Sequence, residues 1–123
     1  MYGQWRVPTV VPPPTPAPQT LAVGFWVGLG GDQNNNSNEV VQAGTQAVVQ
    51  GNTVSYSAWT QWFPAENAVI VQNFPVAPGD HVEFLVTTPQ LNRSFISMRN
   101  FASGFATSVE IDLGVTNDGT SAE

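Results

Sequence analysis

The apolar residues of this chain fall in short runs, each closed by turn residues, and no segment sustains a helical repeat. Its 11 glycines and 10 prolines break the pattern at close intervals. No apolar stretch is left that could span a bilayer as a helix. The pattern predicts strands over Gly3 to Val11, Thr20 to Leu29, Val40 to Val49 and Thr53 to Trp62, the last two joined by a hairpin turn at Gln50-Gly51-Asn52. Further strands are expected over Ala68 to Val76, His81 to Thr88, Ser94 to Phe101 and Phe105 to Leu113, and Thr120 begins another. Turns are expected at Ala77-Pro78-Gly79-Asp80, Pro89 to Asn92, Ala102-Ser103-Gly104 and Asn117-Asp118-Gly119. Pro12 to Pro18 is a stiff surface connector and Gly30 to Asn38 an Asn-rich loop. In His81 to Thr88, Val82, Phe84 and Val86 share one face.

Many short strands at this spacing imply an all-β, antiparallel β-sandwich. With 123 residues the chain is at most one domain, residues 1–123. A sandwich buries each sheet's apolar face on the other. The strand set looks odd and cut, so the expectation is a partial domain, truncated at both ends.

Charge narrows the function. Charged residues make up 10% of the chain, against roughly 25% in ordinary soluble domains. There is no lysine; Arg6, Arg93 and Arg99 face nine Asp and Glu, for a net charge of −6. Such a surface repels nucleic acid and anionic membranes. Asn, Gln, Ser and Thr carry the solubility, and they do not titrate, which suits an acidic medium. No cysteine is present, so disulfides and thiolate metal sites are excluded. His81 alone cannot build a metal cluster, and no metal or other cofactor is expected. No leader segment precedes the first strand. The expectation is a secreted protein whose leader is absent from this chain.

Four segments carry candidate chemistry. Gln42 lies in Val40-Val41-Gln42-Ala43-Gly44-Thr45, sharing a strand face with Val40, Gly44 and Gln46. From local sequence it is either a solvent-facing strand residue or an amide donor aimed at a carbonyl. Its two N–H donors stay neutral at low pH. Glu123 ends Gly119-Thr120-Ser121-Ala122-Glu123 and by itself reads as a frayed end. The strand Tyr56-Ser57-Ala58-Trp59-Thr60-Gln61-Trp62-Phe63-Pro64 is dense in aromatics. Its alternation sets Ser57, Trp59 and Gln61 against Tyr56, Ala58, Thr60 and Trp62. Trp62 reads as core, and Trp59 is balanced between core and cleft. Trp26-Val27-Gly28-Leu29-Gly30-Gly31-Asp32 has the glycines of a nucleotide loop but lacks its Lys-Ser/Thr ending. His81, Asp80, Glu83, Glu110 and Asp112 read as turn and solvent-face groups, and Asn35-Asn36-Ser37 and Asn92-Arg93-Ser94 fit a glycosylation sequon.

In this order the four segments resemble the glutamic peptidases, or eqolisins, which cut proteins in acid. The family has a similar Tyr-x-Ala-Trp-x-x-Trp-Tyr-Pro run, a Trp-Val-Gly-Ile-Asp-Gly element, and its glutamate after an Asn- or Ser-containing segment and Ala. The resemblance implies a lectin-like (concanavalin-like) jelly-roll and a Gln42/Glu123 dyad. Glu123 would activate water, Gln42 would hold the oxyanion, and Trp26, Trp59, Gln61 and Asp32 would bind a protein or peptide substrate, with no cofactor. Three positions depart from the pattern. Ser57 and Gln61 stand where eqolisins often carry acids, and Gly30 stands where an Asp is usual, with Asp32 two positions later. The protein is expected to be a monomer. The alternative is a non-catalytic sandwich module that binds glycans or extended peptides.

Overall fold

The computed structural model describes residues 1–30, 39–90, 93–112 and 121–122, the main chain only at 90, 121 and 122. Among them there is no helix. Nine strands follow in chain order: β1 (Tyr2–Arg6), β2 (Leu21–Gly30), β3 (Val40–Gln50), β4 (Thr53–Phe63), β5 (Val69–Ile70), β6 (His81–Gln90), β7 (Arg93–Asn100), β8 (Ala106–Asp112) and β9 (Ser121–Ala122). They form a four-stranded sheet, β1-β6-β7-β8, and a five-stranded sheet, β5-β4-β3-β2-β9. All pairings are antiparallel. The expected all-β sandwich is the observed architecture.

The two sheets share one core. Phe84 of β6 stacks on Trp5 of β1, ring centroids 5.0 Å apart, and meets the edge of Phe74 at 6.1 Å. Val41, Trp62, Val82, Val86 and Ile96 are wholly buried with them. A polar tie crosses this apolar layer: Trp5 Nε1 donates to Thr45 Oγ1 of β3 at 2.8 Å. It satisfies a half-buried indole N–H that would otherwise be shielded from water without a partner.

Strand boundaries differ from expectation where a proline or a local turn ends the ladder. β1 stops at Arg6, because Val7 pairs instead with the turn ahead of β6 (Val7 N to Asp80 O, 2.8 Å; Gly79 N to Val7 O, 2.7 Å) and Pro8 has no N–H. β6 runs through the expected turn at Pro89 to Gln90, with a register irregularity between Thr87 and Gln90 that accommodates the proline. The expected strand over Ala68 to Val76 shrinks to β5. Beyond it the chain turns inward to bury Phe74. The β3–β4 turn is as expected: Gln50 pairs with Thr53, and Gly51 takes φ +61°, a conformation without penalty for glycine.

Asn100, at the end of β7, is a buried polar hub. Its Nδ2 donates to Asp80 Oδ2 (2.7 Å) and Pro75 O (3.2 Å), and its Oδ1 accepts from the N–H groups of Ala102 and Ser103. It ties the turn after β7 to the segment before β6.

Alternation divides the five-stranded sheet. Val41, Ala43, Thr45, Ala58, Thr60 and Trp62 face the core. Outward, the register builds cross-strand rows: Gly28·Gln42·Gln61, Trp26·Gly44·Trp59 and Gly24·Gln46·Ser57. Gly44 lies where the β2 backbone leaves no room for a side chain on β3. A Cβ there would overlap the Phe25 carbonyl oxygen and sit 2.8 Å from Trp26 Cα.

Phe84, Asn100 and Gly44 give three stability predictions, all readable by urea unfolding. Phe84→Ala should destabilise the protein by about 3–5 kcal/mol through a core cavity, and Asn100→Ala by about 1–3 kcal/mol through its stranded partners. Gly44→Ala should force β2 and β3 apart and lower stability by about 1–3 kcal/mol, although it adds only one methyl group.

Candidate functional site

The outward rows enclose a groove of about 300 Å³ on the five-stranded sheet. Its middle is low because Gly24, Gly28 and Gly44 carry no side chains. Trp26 and Trp59 flank Gly44 from the neighbouring strands and rise as walls. Trp26 is 52% exposed; Trp59, braced by β5 through the Trp59–Ile70 pairing, is 8% exposed yet still lines the groove. Trp59 is therefore a groove residue with a buried body, and Trp62, one side-chain alternation away, is core at 0% exposure.

Amides make up the polar part of the groove. Gln42 Nε2 donates to Gln61 Oε1 at 2.8 Å, and Gln61 Nε2 donates to the backbone carbonyl of Glu66 at 3.1 Å. On the other side of the Trp26·Gly44·Trp59 row, Gln46 Nε2 donates to Ser57 Oγ at 3.3 Å. Glu66 is itself bracketed: its Oε1 accepts from Trp62 N–H (3.1 Å) and its N–H donates to Trp62 O (2.8 Å). No Asp, Glu, His, Lys or Arg is among the described residues lining the groove. The polar groups at hand are thus neutral donors and acceptors, suited to a carbonyl or amide of a ligand.

The structure brings Trp26, Gln42, Trp59 and Gln61 together around this groove. Asp32 and Glu123, and the sequon asparagines Asn35 and Asn92, lie outside the described residues. Ala122, the residue before Glu123, pairs with Leu29 in β9–β2, one register position from the Gly28·Gln42·Gln61 row. Gln46 lines the groove without having been singled out from sequence. Its spacing of four from Gln42 on one strand face was the available signal. The other titratable candidates sit elsewhere. His81 Nε2 lies 3.1 Å from Gln4 Oε1, with its ring against Phe101. Glu110 pairs with Arg93 at 2.9 Å on the outer side of the four-stranded sheet. Glu83 Oε2 accepts from the Tyr2 hydroxyl at 2.9 Å. Partial desolvation, reinforced by that carboxylate, holds the Tyr2 phenol above its usual range. Among the described residues no group of three or more His, Asp or Glu stands where it could hold a metal ion.

Comparison with known proteins agrees with this architecture. Scytalido-glutamic peptidase, solved with a transition-state analog inhibitor, superposes with a TM-score of 0.76 at 22% identity, over 99% of this chain and 55% of that one. Aspergilloglutamic peptidase from Aspergillus niger gives 0.71 at 21% identity, over 83% of this chain and 59% of that one. SCP-B, an eqolisin solved in complex with the tripeptide Ala-Ile-His, gives 0.69 at 20% identity, over 98% and 53%. The chain thus spans little more than half the length of these structures. No curated protein matches the sequence at a significant level. The Peptidase A4 family model matches residues 1–123, the whole chain. By that match the chain belongs to the peptidase A4 family, the glutamic peptidases or eqolisins.

Proposed function

We propose that the groove binds an extended peptide and that the protein hydrolyses it in acid through Gln42 and Glu123. The observation that carries this reading is a register. Gly28 pairs with Gln42 on one side, and its neighbour Leu29 pairs with Ala122 on the other. Glu123 follows Ala122 in sequence. Neighbouring strands are about 4.8 Å apart, so β9 and β3 are separated by roughly 10 Å across a bare glycine. That gap accommodates a scissile peptide and a water between an amide on one side and a carboxylate on the other.

The chemistry follows from the two side chains. Glu123 takes a proton from water, which attacks the scissile carbonyl; Gln42 N–H stabilises the oxyanion; and the proton passes from Glu123 to the leaving amine. Trp26 and Trp59 grip the peptide on either side of Gly44. Support comes from the family, from the peptide and transition-state-analog complexes of similar structures, and from the neutral amides on the groove floor. The same reading takes the protein to be secreted and monomeric. Its few ionisable surface groups suit an acidic exterior.

The test is cleavage of a denatured protein between about pH 2 and 7, the range in which a glutamate near its reference pKa of about 4.3 changes charge. The protein is taken in its natural length. Gln42→Ala should lower kcat by about 10²–10³-fold. Glu123→Gln should lower it by about 10²–10⁴-fold and remove the limb on which activity disappears as the pH falls. Full activity in either variant rules out the dyad, and glycan retention without any cleavage favours the binding module. Trp26→Ala should raise KM by roughly tenfold with kcat little changed, because an exposed wall holds substrate and transition state alike.

A further inference from the structure

We propose that Gln61 is a positioning residue that decides which atoms of Gln42 face the groove, through a hydrogen-bond chain anchored on the Glu66 backbone. The inference rests on the reading of Gln42 as oxyanion donor and adds a part to that site.

A primary amide can turn over by half a rotation with almost no change in shape, exchanging donor for acceptor. Only its partners decide between the two states. For Gln42 the partner is Gln61, which has the same ambiguity. The ambiguity ends at the next link, because the Glu66 carbonyl can only accept. Gln61 must therefore turn Nε2 toward Glu66 (3.1 Å), which leaves Oε1 toward Gln42. Gln42 in turn must present Nε2, and it does so at 2.8 Å. One N–H of Gln42 is thereby committed to Gln61, and the second remains for the groove that Gln42 lines. The reversed state would bring two amide oxygens together at this distance, or two NH₂ groups.

The anchor is stiff for its own reasons. Glu66 is held at both ends by the main chain of Trp62, its side-chain Oε1 by the N–H and its N–H by the carbonyl. Trp62 is wholly buried. Orientation thus passes from the packed core, through the turn after β4, to an amide in the groove. About Gln61, β3 brings Gln42 and the turn brings Glu66, while β5, paired with Trp59 and Thr60 of the same strand, brings Val69 and Ile70; Glu66 is the one titratable group among these four.

The test uses the protein in its natural length with Gln61→Leu and Gln61→Glu, and reads two quantities. The first is the Gln42 side-chain amide signal in nitrogen–proton correlation spectra, assigned by its loss in Gln42→Leu. The second is kcat and KM for cleavage. In Gln61→Leu the two Gln42 amide protons should converge toward solvent-exposed values, and kcat should fall about tenfold with KM held, the worth of one hydrogen bond. Gln61→Glu keeps the acceptor toward Gln42. While protonated it can also donate to the Glu66 carbonyl, and once ionised it cannot, which raises its own pKa. Its kcat relative to the parent should be near unity well below about pH 4.3 and fall as the pH rises. Unchanged Gln42 signals in Gln61→Leu overturn the proposal, as does unchanged kcat in both variants while Gln42→Ala is inactive. A parent protein that cleaves nothing defeats the peptidase reading instead, and the Gln42 signals then decide the positioning alone.

Discussion

The register between β3 and β4 is the constraint on which the groove and much of the core depend. It runs unbroken from Val40↔Phe63 at the open end to Gln50↔Thr53 at the turn. Strand side chains alternate with a period of two, so a slip of either strand by one residue would exchange its faces. Trp62 would leave the core, and Gln61 or Gln42 would enter it. Burying an amide without partners costs on the order of 2–7 kcal/mol, and expelling Trp62 forfeits the largest wholly buried side chain among the described residues. Gly51 holds the closed end of the ladder, and the buried apolar row holds its length. The same alternation that packs Val41, Ala43 and Trp62 inward sets Gln42, Trp59 and Gln61 outward. The site is the reverse side of the core.

Several features were legible because they depend only on local pattern. Strand β6 alternates cleanly and β3 does so apart from Gly44, and Gln50-Gly51-Asn52 carries its own turn chemistry. Counting in twos placed Trp59 with Gln61 on one strand face and Gln42 with Gln46 on another, and the family resemblance joined the two faces in one cleft. Other features depend on residues distant in the chain. β5 pairs for two residues only, and the apolar residues after it serve Phe74, whose burial is set by Phe84 on the other sheet. Asn100 looks like any polar residue before a turn, yet its four partners come from the turn after it and from residues 75 and 80. Trp59 was balanced between core and cleft because both faces of β4 carry a tryptophan. Which one faces the core follows from the pairing Trp62↔Val41 and the buried neighbours of Val41. The hydrogen-bond chain to Glu66 was hidden for the same reason: it needs the path of the turn after Phe63.

Gln61 and Ser57 are two of the three positions where this chain departs from the acids common in eqolisins, and both are direct partners of groove glutamines. A carboxylate in either place would change its hydrogen-bonding capacity on ionising, from donor and acceptor to acceptor alone. An amide and a hydroxyl keep theirs at every pH of interest. The orientation of Gln42 is therefore uncoupled from acidity, and the described groove contributes no ionisation of its own. In a Gln42/Glu123 mechanism this separates two tasks. The amide network supplies geometry that does not titrate, while the single carboxylate supplies the proton chemistry that must.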